Sequence, residues 1–339
     1  MKKYLTALLA MTTLLLCAQE NTNPQTQWTD ERPDGHGPIS VVGDHMHQKG
    51  EWMFNIEYVH SYMEGLQMGN QEISPAKALD KYMVVPEKMT MDMQMLAAMY
   101  APSDKLTLMA MTMYMTMDMD LLMRNGNPFN VRSSGIGDTQ LAGLLKIWDG
   151  NRQTLHGLLG FSLPTGSIQK KDVTPMSAPG EAKLPYGMQM GSGTYDGNLS
   201  LTYLGQGNLF SWGSQLSGIL RFGQNDRDYR LGNQLHLNNW LAYKTADWLS
   251  FSGRLEWTAI GSIKGVDPNL NPIMSATADT DNSGETLINA GLGFNTRVPK
   301  GTLEDLRFAF EYAFPIYQNL YGVQLKNKRV FTLGLQYSF

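Results

Sequence analysis

His45, Met46 and His47 place two imidazoles and a thioether in three consecutive positions. Both are transition-metal ligands, and thioethers select soft ions such as Cu(I) or Ag(I). Adjacent positions of an extended chain point apart, so a site here needs partners from elsewhere. The chain carries 23 methionines, and the expected partners are Met63, Met68, Met83, Met119 and Met123, near the ends of the strands read below. Copper or silver is the one metal chemistry the sequence invites; otherwise no cofactor is expected.

A second set of ionisable residues recurs at alternate positions: Glu57, Asp92, Asp118, Asp120, Lys146, Arg221, Arg254, Glu256, Arg307 and Glu311. Facing a lumen, such mixed signs imply a hydrated or salt-bridged interior rather than a selective ring. Reaction chemistry finds little support. The P-loop and zinc-protease motifs are absent, and Gly126, Gly135 and Gly137 lack the strand-to-helix setting of a dinucleotide fingerprint. His156 and His236 have neighbouring serines, but nothing in the sequence brings them together. No catalytic residue is assigned, and the chain is not expected to be an enzyme.

The element that must position these groups is a methionine hairpin. Met89, Met91, Met93 and Met95 alternate with Thr90, Asp92 and Gln94; after a turn at 101–105, Met109 to Met119 repeats at every second residue. Period two denotes strand. Each strand has one thioether face and one largely polar face, suited to a wall between hydrocarbon and water. The wall belongs either to a soluble sandwich with a methionine core or to a transmembrane barrel. In a barrel, turning Asp92, Asp118 and Asp120 toward lipid would cost on the order of a few kcal/mol each near the midplane. The methionines are therefore expected outside and the carboxylates inside.

Alternation continues to Phe339, giving about twelve strands, an even number as outer-membrane barrels require. Connections alternate long and short: 64–87, 124–135, 164–194, 223–233, 261–285 and 315–328 are long, with tight turns between. That asymmetry favours the barrel, with long extracellular loops and short periplasmic turns. Aromatic Phe339 ends the last strand like a signal for the outer-membrane assembly machinery. Lys2 and Lys3, an apolar run to Leu16 and Ala18 form a secretory leader. The expected organisation is a signal peptide at 1–18, an irregular periplasmic segment at 19–50 and an all-β antiparallel transmembrane barrel at 51–339. Cys17 is the only cysteine, so the mature chain would hold no disulfide. A net charge of -4 with no basic run leaves nucleic acid out as a partner; outer-membrane lipid and a small-molecule solute remain. Oligomeric state is left open. The mean hydropathy of -0.29 does not oppose a barrel, because lumen-facing polar residues offset lipid-facing apolar ones.

Several segments resemble one family: 43–47 (GDHMH), 49–53 (KGEWM), the methionine hairpin, 133–138 (SSGIGD), 163–168 (LPTGSI), 184–186 (LPY), 191–196 (GSGTYD) and 267–272 (DPNLNP). They resemble the outer-membrane transporter-like barrels named for the meta-pathway of phenol degradation, over nearly all of the mature chain. The resemblance implies an envelope barrel, a channel for small apolar or aromatic compounds, and no catalytic residues. Two other readings stay open: a metal-handling barrel using His45, Met46 and His47, and a structural barrel closed by its loops or by segment 19–50.

Overall fold

A computed structural model describes residues 28–339. The expected leader at 1–18, with Cys17, lies outside the described residues. Eleven long strand elements form one antiparallel sheet: β1 (Trp52–Gly69), β2 (Val84–Ser103), β3 (Leu106–Met123), β4 (Thr139–Gly150), β5 (Gln153–Leu163), β6 (Asp196–Gln206), β7 (Phe210–Arg221), β8 (Gln234–Ala246), β9 (Leu249–Ile260), β10 (Glu285–Arg297) and β11 (Leu306–Ser338). Each pairs with the next, and β11 also pairs with β1, which closes the ring.

β11 is one unbroken extended run, yet residues 307–320 bond β10 whereas 323–338 bond β1. A ring whose neighbours are all antiparallel needs an even number of strand directions, so the two halves of β11 run oppositely. They reverse beside Gly322, whose φ of +74° suits glycine, which has no Cβ to clash there. Counted by direction, the eleven elements make a twelve-stranded wall. The long loop expected at 315–328 is therefore wall, and the connection expected at 124–135 contains an added strand, Pro128–Ile136, paired to β3.

The remaining connections segregate by length. Residues 104–105, 151–152, 207–209, 247–248 and 298–305 turn at one end, while 70–83, 164–195, 222–233 and 261–284 extend from the other.

The outer face is apolar where the strands approach the short-turn end, with Phe54 and Ile56 on β1, Leu96 on β2, Leu108 on β3, and Leu141 and Leu145 on β4 all exposed. Facing water, so wide an apolar surface would be strongly unfavourable; facing lipid, it is the band that membrane barrels present.

The methionine hairpin is inverted relative to expectation. Met89, Met109, Met111, Met115, Met117 and Met119 point into the barrel and are buried. Asp92, Asp118 and Asp120 lie on the outer face, with Asp92 bonded to His60 Nδ1 at 2.8 Å and Asp120 paired with Lys88 at 2.9 Å. The physical reason is length. β1, β2 and β3 have 18, 20 and 18 residues, about twice the ~9–11 that a tilted strand needs to cross hydrocarbon. The outer apolar band ends near the cross-strand neighbours Tyr58, Gln94 and Tyr114, so the carboxylates ride on wall that projects beyond it, where water is available.

A pair of cysteine substitutions tests this inversion. In folded, detergent-extracted protein, Asp118→Cys is expected to react with a water-soluble maleimide within minutes, because the Asp118 side chain is 32% exposed. Met117→Cys, at a residue 4% exposed, is expected to react only after unfolding; the opposite order would restore the outward-methionine arrangement.

Candidate functional site in the plugged lumen

Residues 28–50 carry no strand or helix, yet most of residues 33–47 is buried, because the segment is threaded into the lumen. A chain without its own ladder must find other partners for its backbone polar groups, and here the wall supplies them. Ser211 Oγ donates to the Asp34 carbonyl at 2.6 Å, Ser250 Oγ to Pro33 at 2.9 Å, Gln215 Nε2 to Val42 at 3.0 Å and Asn295 Nδ2 to Gly37 at 3.1 Å. The Arg307 guanidinium donates to the Arg32 and Asp30 carbonyls. On the other side, Thr107 Oγ1 accepts from the His47 amide at 3.2 Å, and Ser40 Oγ meets Thr332 Oγ1 at 3.1 Å. Shape agrees with bonding. A Cβ added at Gly334 of β11 would lie 2.4 Å from Ile39, so the bare wall there accommodates the plug.

Above the plug the lumen holds a cavity of about 330 Å³. Val42 and Ser40 of the plug form part of its lining; Val59, Met95, Leu287 and Phe314 add apolar wall, while Glu57, His236, Arg254, Glu256 and Glu285 add polar groups. Met89, Met91, Met93 and Met95 form a column on the inner face of β2 that leads from the long-loop end to this cavity. Facing that column, Leu184, Met188 and Met190 of the 164–195 connection fold inward and are 1%, 0% and 2% exposed. The connection is held by Ser133 Oγ on the Met188 carbonyl at 2.8 Å and by the Lys183–Asp267 ion pair. A second thioether cluster, Met46, Met53, Met99 and Met109 with Leu144 and Leu158, seals the short-turn end.

All the charged residues named from sequence except Lys146 fall into two groups. Glu57, Arg221, Arg254, Glu256, Arg307 and Glu311 face the interior, where Arg254, Glu256 and Glu311 form one network. Arg254 Nη2 and Nε donate to Glu311 at 2.6 and 3.0 Å, and Nη1 donates to Asn238 at 2.7 Å and faces Glu256 at 3.3 Å; Arg221 pairs with Asp196. Lys146, opposite His156 in the ladder, pairs with Asp149 at 3.3 Å. Asp92, Asp118 and Asp120 are the outer-face group described above. His156 Nε2 lies 3.0 Å from the Gly43 carbonyl, and His236 Nδ1 3.0 Å from Thr258 Oγ1; each is tied to plug or wall.

The metal candidates are likewise divided. His45 and His47 are both 2% exposed inside the plug, whereas Met68 and Met83 are exposed at the opposite end and Met119 is buried in the upper methionine cluster with Met63 and Met123 beside it. Met46 turns away into the lower cluster. The soft thioether set expected from sequence is therefore not assembled. What the fold assembles instead is an imidazole cluster with His36, which sequence reading missed although it lies in the same polar segment. The His36 and His45 rings stack at 3.6 Å, and the His45 and His47 rings meet edge-on at 4.9 Å. His45 Nδ1 contacts Asp44 Oδ1 at 2.8 Å, and His47 Nδ1 lies 3.0 Å from Glu51 Oε1. Burial, with the charge of Arg307 second, pushes the His36 imidazole well below its ordinary pKa. Burial also opposes a charge on His45, but the adjacent Asp44 carboxylate raises its pKa overall.

A closed antiparallel membrane barrel with an internally seated plug is the class that this fold and lumen define. Residues 83–325 match the family described as "Putative MetA-pathway of phenol degradation", and the chain belongs to that family. Among solved structures, it is similar to an outer-membrane channel from Pseudomonas putida F1, with 15% identity and a TM-score of 0.60 over 89% of this chain and 100% of that one. A FadL homologue from Pseudomonas aeruginosa has 14% identity and a TM-score of 0.43, covering 93% of this chain and 98% of its own. No curated protein matches the sequence. At such identity the first likeness speaks to fold, which is that of an outer-membrane β-barrel.

Proposed function

We propose that the protein is an outer-membrane channel for small solutes with an apolar, aromatic-sized body and one or two polar groups. The supporting observation is the inward methionine column from Met89 to Met95, which ends on the cavity beside the plug. Thioether side chains are flexible and polarizable, and they accommodate differently shaped apolar partners. A cavity of about 330 Å³ is at the small end of ligand sites and about twice the ~150 Å³ that holds a benzene ring. Glu57, His236 and Arg254 within it can orient a hydroxyl or amine.

Short turns lie on the periplasmic side of bacterial outer-membrane barrels, so a solute would enter among the long connections, descend the thioether wall and leave past the plug. Most bonds that hold the plug are single hydrogen bonds between neutral groups, each worth a net ~0.5–1.5 kcal/mol because water can replace them, with those from the Arg307 guanidinium worth more. Displacement of part of the plug is thereby less costly than opening the wall ladder.

Proteoliposomes carrying refolded protein are expected to take up a small phenolic compound faster than empty vesicles, and faster than they take up a sugar of similar mass. Aspartate at Met93 and Met95 together is expected to reduce that preference by on the order of tenfold, since each placement puts an anion on the apolar path. Equal uptake of phenolic and sugar by the wild type would remove the apolar-solute reading. No uptake of either would favour a structural barrel.

A further inference from the structure

The imidazole cluster of the plug carries bonding capacity that the protein leaves unused. Nε2 of His45 and Nε2 of His47 are buried without a hydrogen-bond partner. A buried polar atom left unpaired costs on the order of 1–3 kcal/mol, and two such atoms in adjacent rings are unusual in a segment so well bonded elsewhere. The carboxylates already lie on the Nδ1 side: Asp44 at His45 and Glu51 at His47, at 2.8 and 3.0 Å. In metal centres a carboxylate on one ring nitrogen fixes the tautomer and orientation while the other nitrogen binds the ion. One ligand atom from each of His36, Asp44 and His45 lies within 4.8 Å of the others, and the same holds for Asp30, His47 and Glu51.

We propose that the plug is a metal clasp, in which a divalent first-row cation, Zn²⁺ or Cu²⁺, is bound by Nε2 of His45 and His47 with His36 as third imidazole. Asp44 and Glu51 are its orienting carboxylates. Imidazole with carboxylate suits zinc and copper(II), whereas the thioether of Met46 is directed into the lower apolar cluster. Every donor lies between His36 and Glu51, so a bound ion cross-links the plug to itself. It would stiffen the segment, and, resting on the channel reading above, it would hold the lumen shut more of the time.

Equilibrium dialysis of untagged, chelator-stripped full-length protein against Zn²⁺ and, separately, Cu²⁺ tests binding without reference to transport. The wild type is expected to take one ion per chain. His45→Ala/His47→Ala is expected to bind at least about 100-fold more weakly, and Asp44→Asn about 10–100-fold more weakly. Met46→Leu is expected to bind as the wild type does. Heat-modifiable migration checks that each variant is folded, and Asp44→Asn, which keeps size and shape, decides the matter should the double variant misfold. Binding by folded wild type of neither ion, or undiminished binding in the histidine and Asp44 variants, would overturn the proposal; so would loss of binding in Met46→Leu. Should the ion bind but leave conductance unchanged, the clasp stands and only its control of passage fails.

Discussion

Excision of residues 30–47 is expected to raise the single-channel conductance of the refolded barrel on the order of tenfold or more. Barrels of about eight strands are filled by their own side chains, and those of sixteen or more leave an aqueous channel. At twelve strand directions this wall is intermediate, and the threaded segment supplies what fills the space between Gln206, Ser211, Ser250 and Arg307. Excision removes no ladder hydrogen bond, because the ring closes through β1 and β11 independently of the plug. The exposed lumen would be polar near Arg307, Asn295 and Gln336, which had bonded the segment. Planar-bilayer recordings of the two proteins provide the comparison. Unchanged, near-silent traces from a folded deletion variant would show that the inward connection at 164–195 closes the barrel without help.

The second large effect concerns stability. Arg254→Met is expected to destabilise the barrel by about 3–5 kcal/mol, because removing one member of a buried ion pair leaves the other charge uncompensated. Glu311 is 1% exposed, and its carboxylate accepts from Arg254 over bare Gly291, where a Cβ would lie 3.0 Å from Glu311 Cδ. Glu256 loses the same counterion but keeps Asn289 at 3.0 Å. Converting Glu311 to Met in the same chain is expected to recover about half of the loss or more, since a well-packed apolar pair can replace a buried ionic one. Urea unfolding in lipid vesicles measures both; a loss below about 1 kcal/mol for Arg254→Met would mean that water in the lumen already screens the pair.

The wall was legible because alternation at period two is local: Phe54 with Ile56, Leu216 with Leu220 and Leu333 with Leu335 each announce a face without knowledge of the fold. Which face was inward on the hairpin was not. Leu96, Ala98, Leu108 and Ala110 make the opposite face of those strands apolar too, and the cost set against outward carboxylates applied only to residues at membrane depth. Asp92, Asp118 and Asp120 lie beyond that depth on strands of unusual length. The plug illustrates a second limit. Its seat is built from contacts such as His36 with Gln336 and Thr29 with Gln206, separated by 300 and 177 positions. A polar stretch without periodicity carries no local sign of them. His45 and His47 stood out by their spacing, but His36 joined them only through chain reversal inside the lumen. The turn at Gly322 went unread because 315–328 reads as a long connection, and a lone glycine does not mark a reversal within an extended run.

Gated passage requires the plug to leave its seat, and a reversible tether measures this directly. Ser40 Oγ and Thr332 Oγ1 are 3.1 Å apart, near enough for Ser40→Cys/Thr332→Cys to form a disulfide. Uptake of a small phenolic compound into proteoliposomes should be low when this variant is oxidised and should return to the wild-type rate on reduction, while the wild type responds to neither treatment. Equal uptake by the oxidised and reduced forms, with the cross-link verified, would contradict a moving plug as the gate.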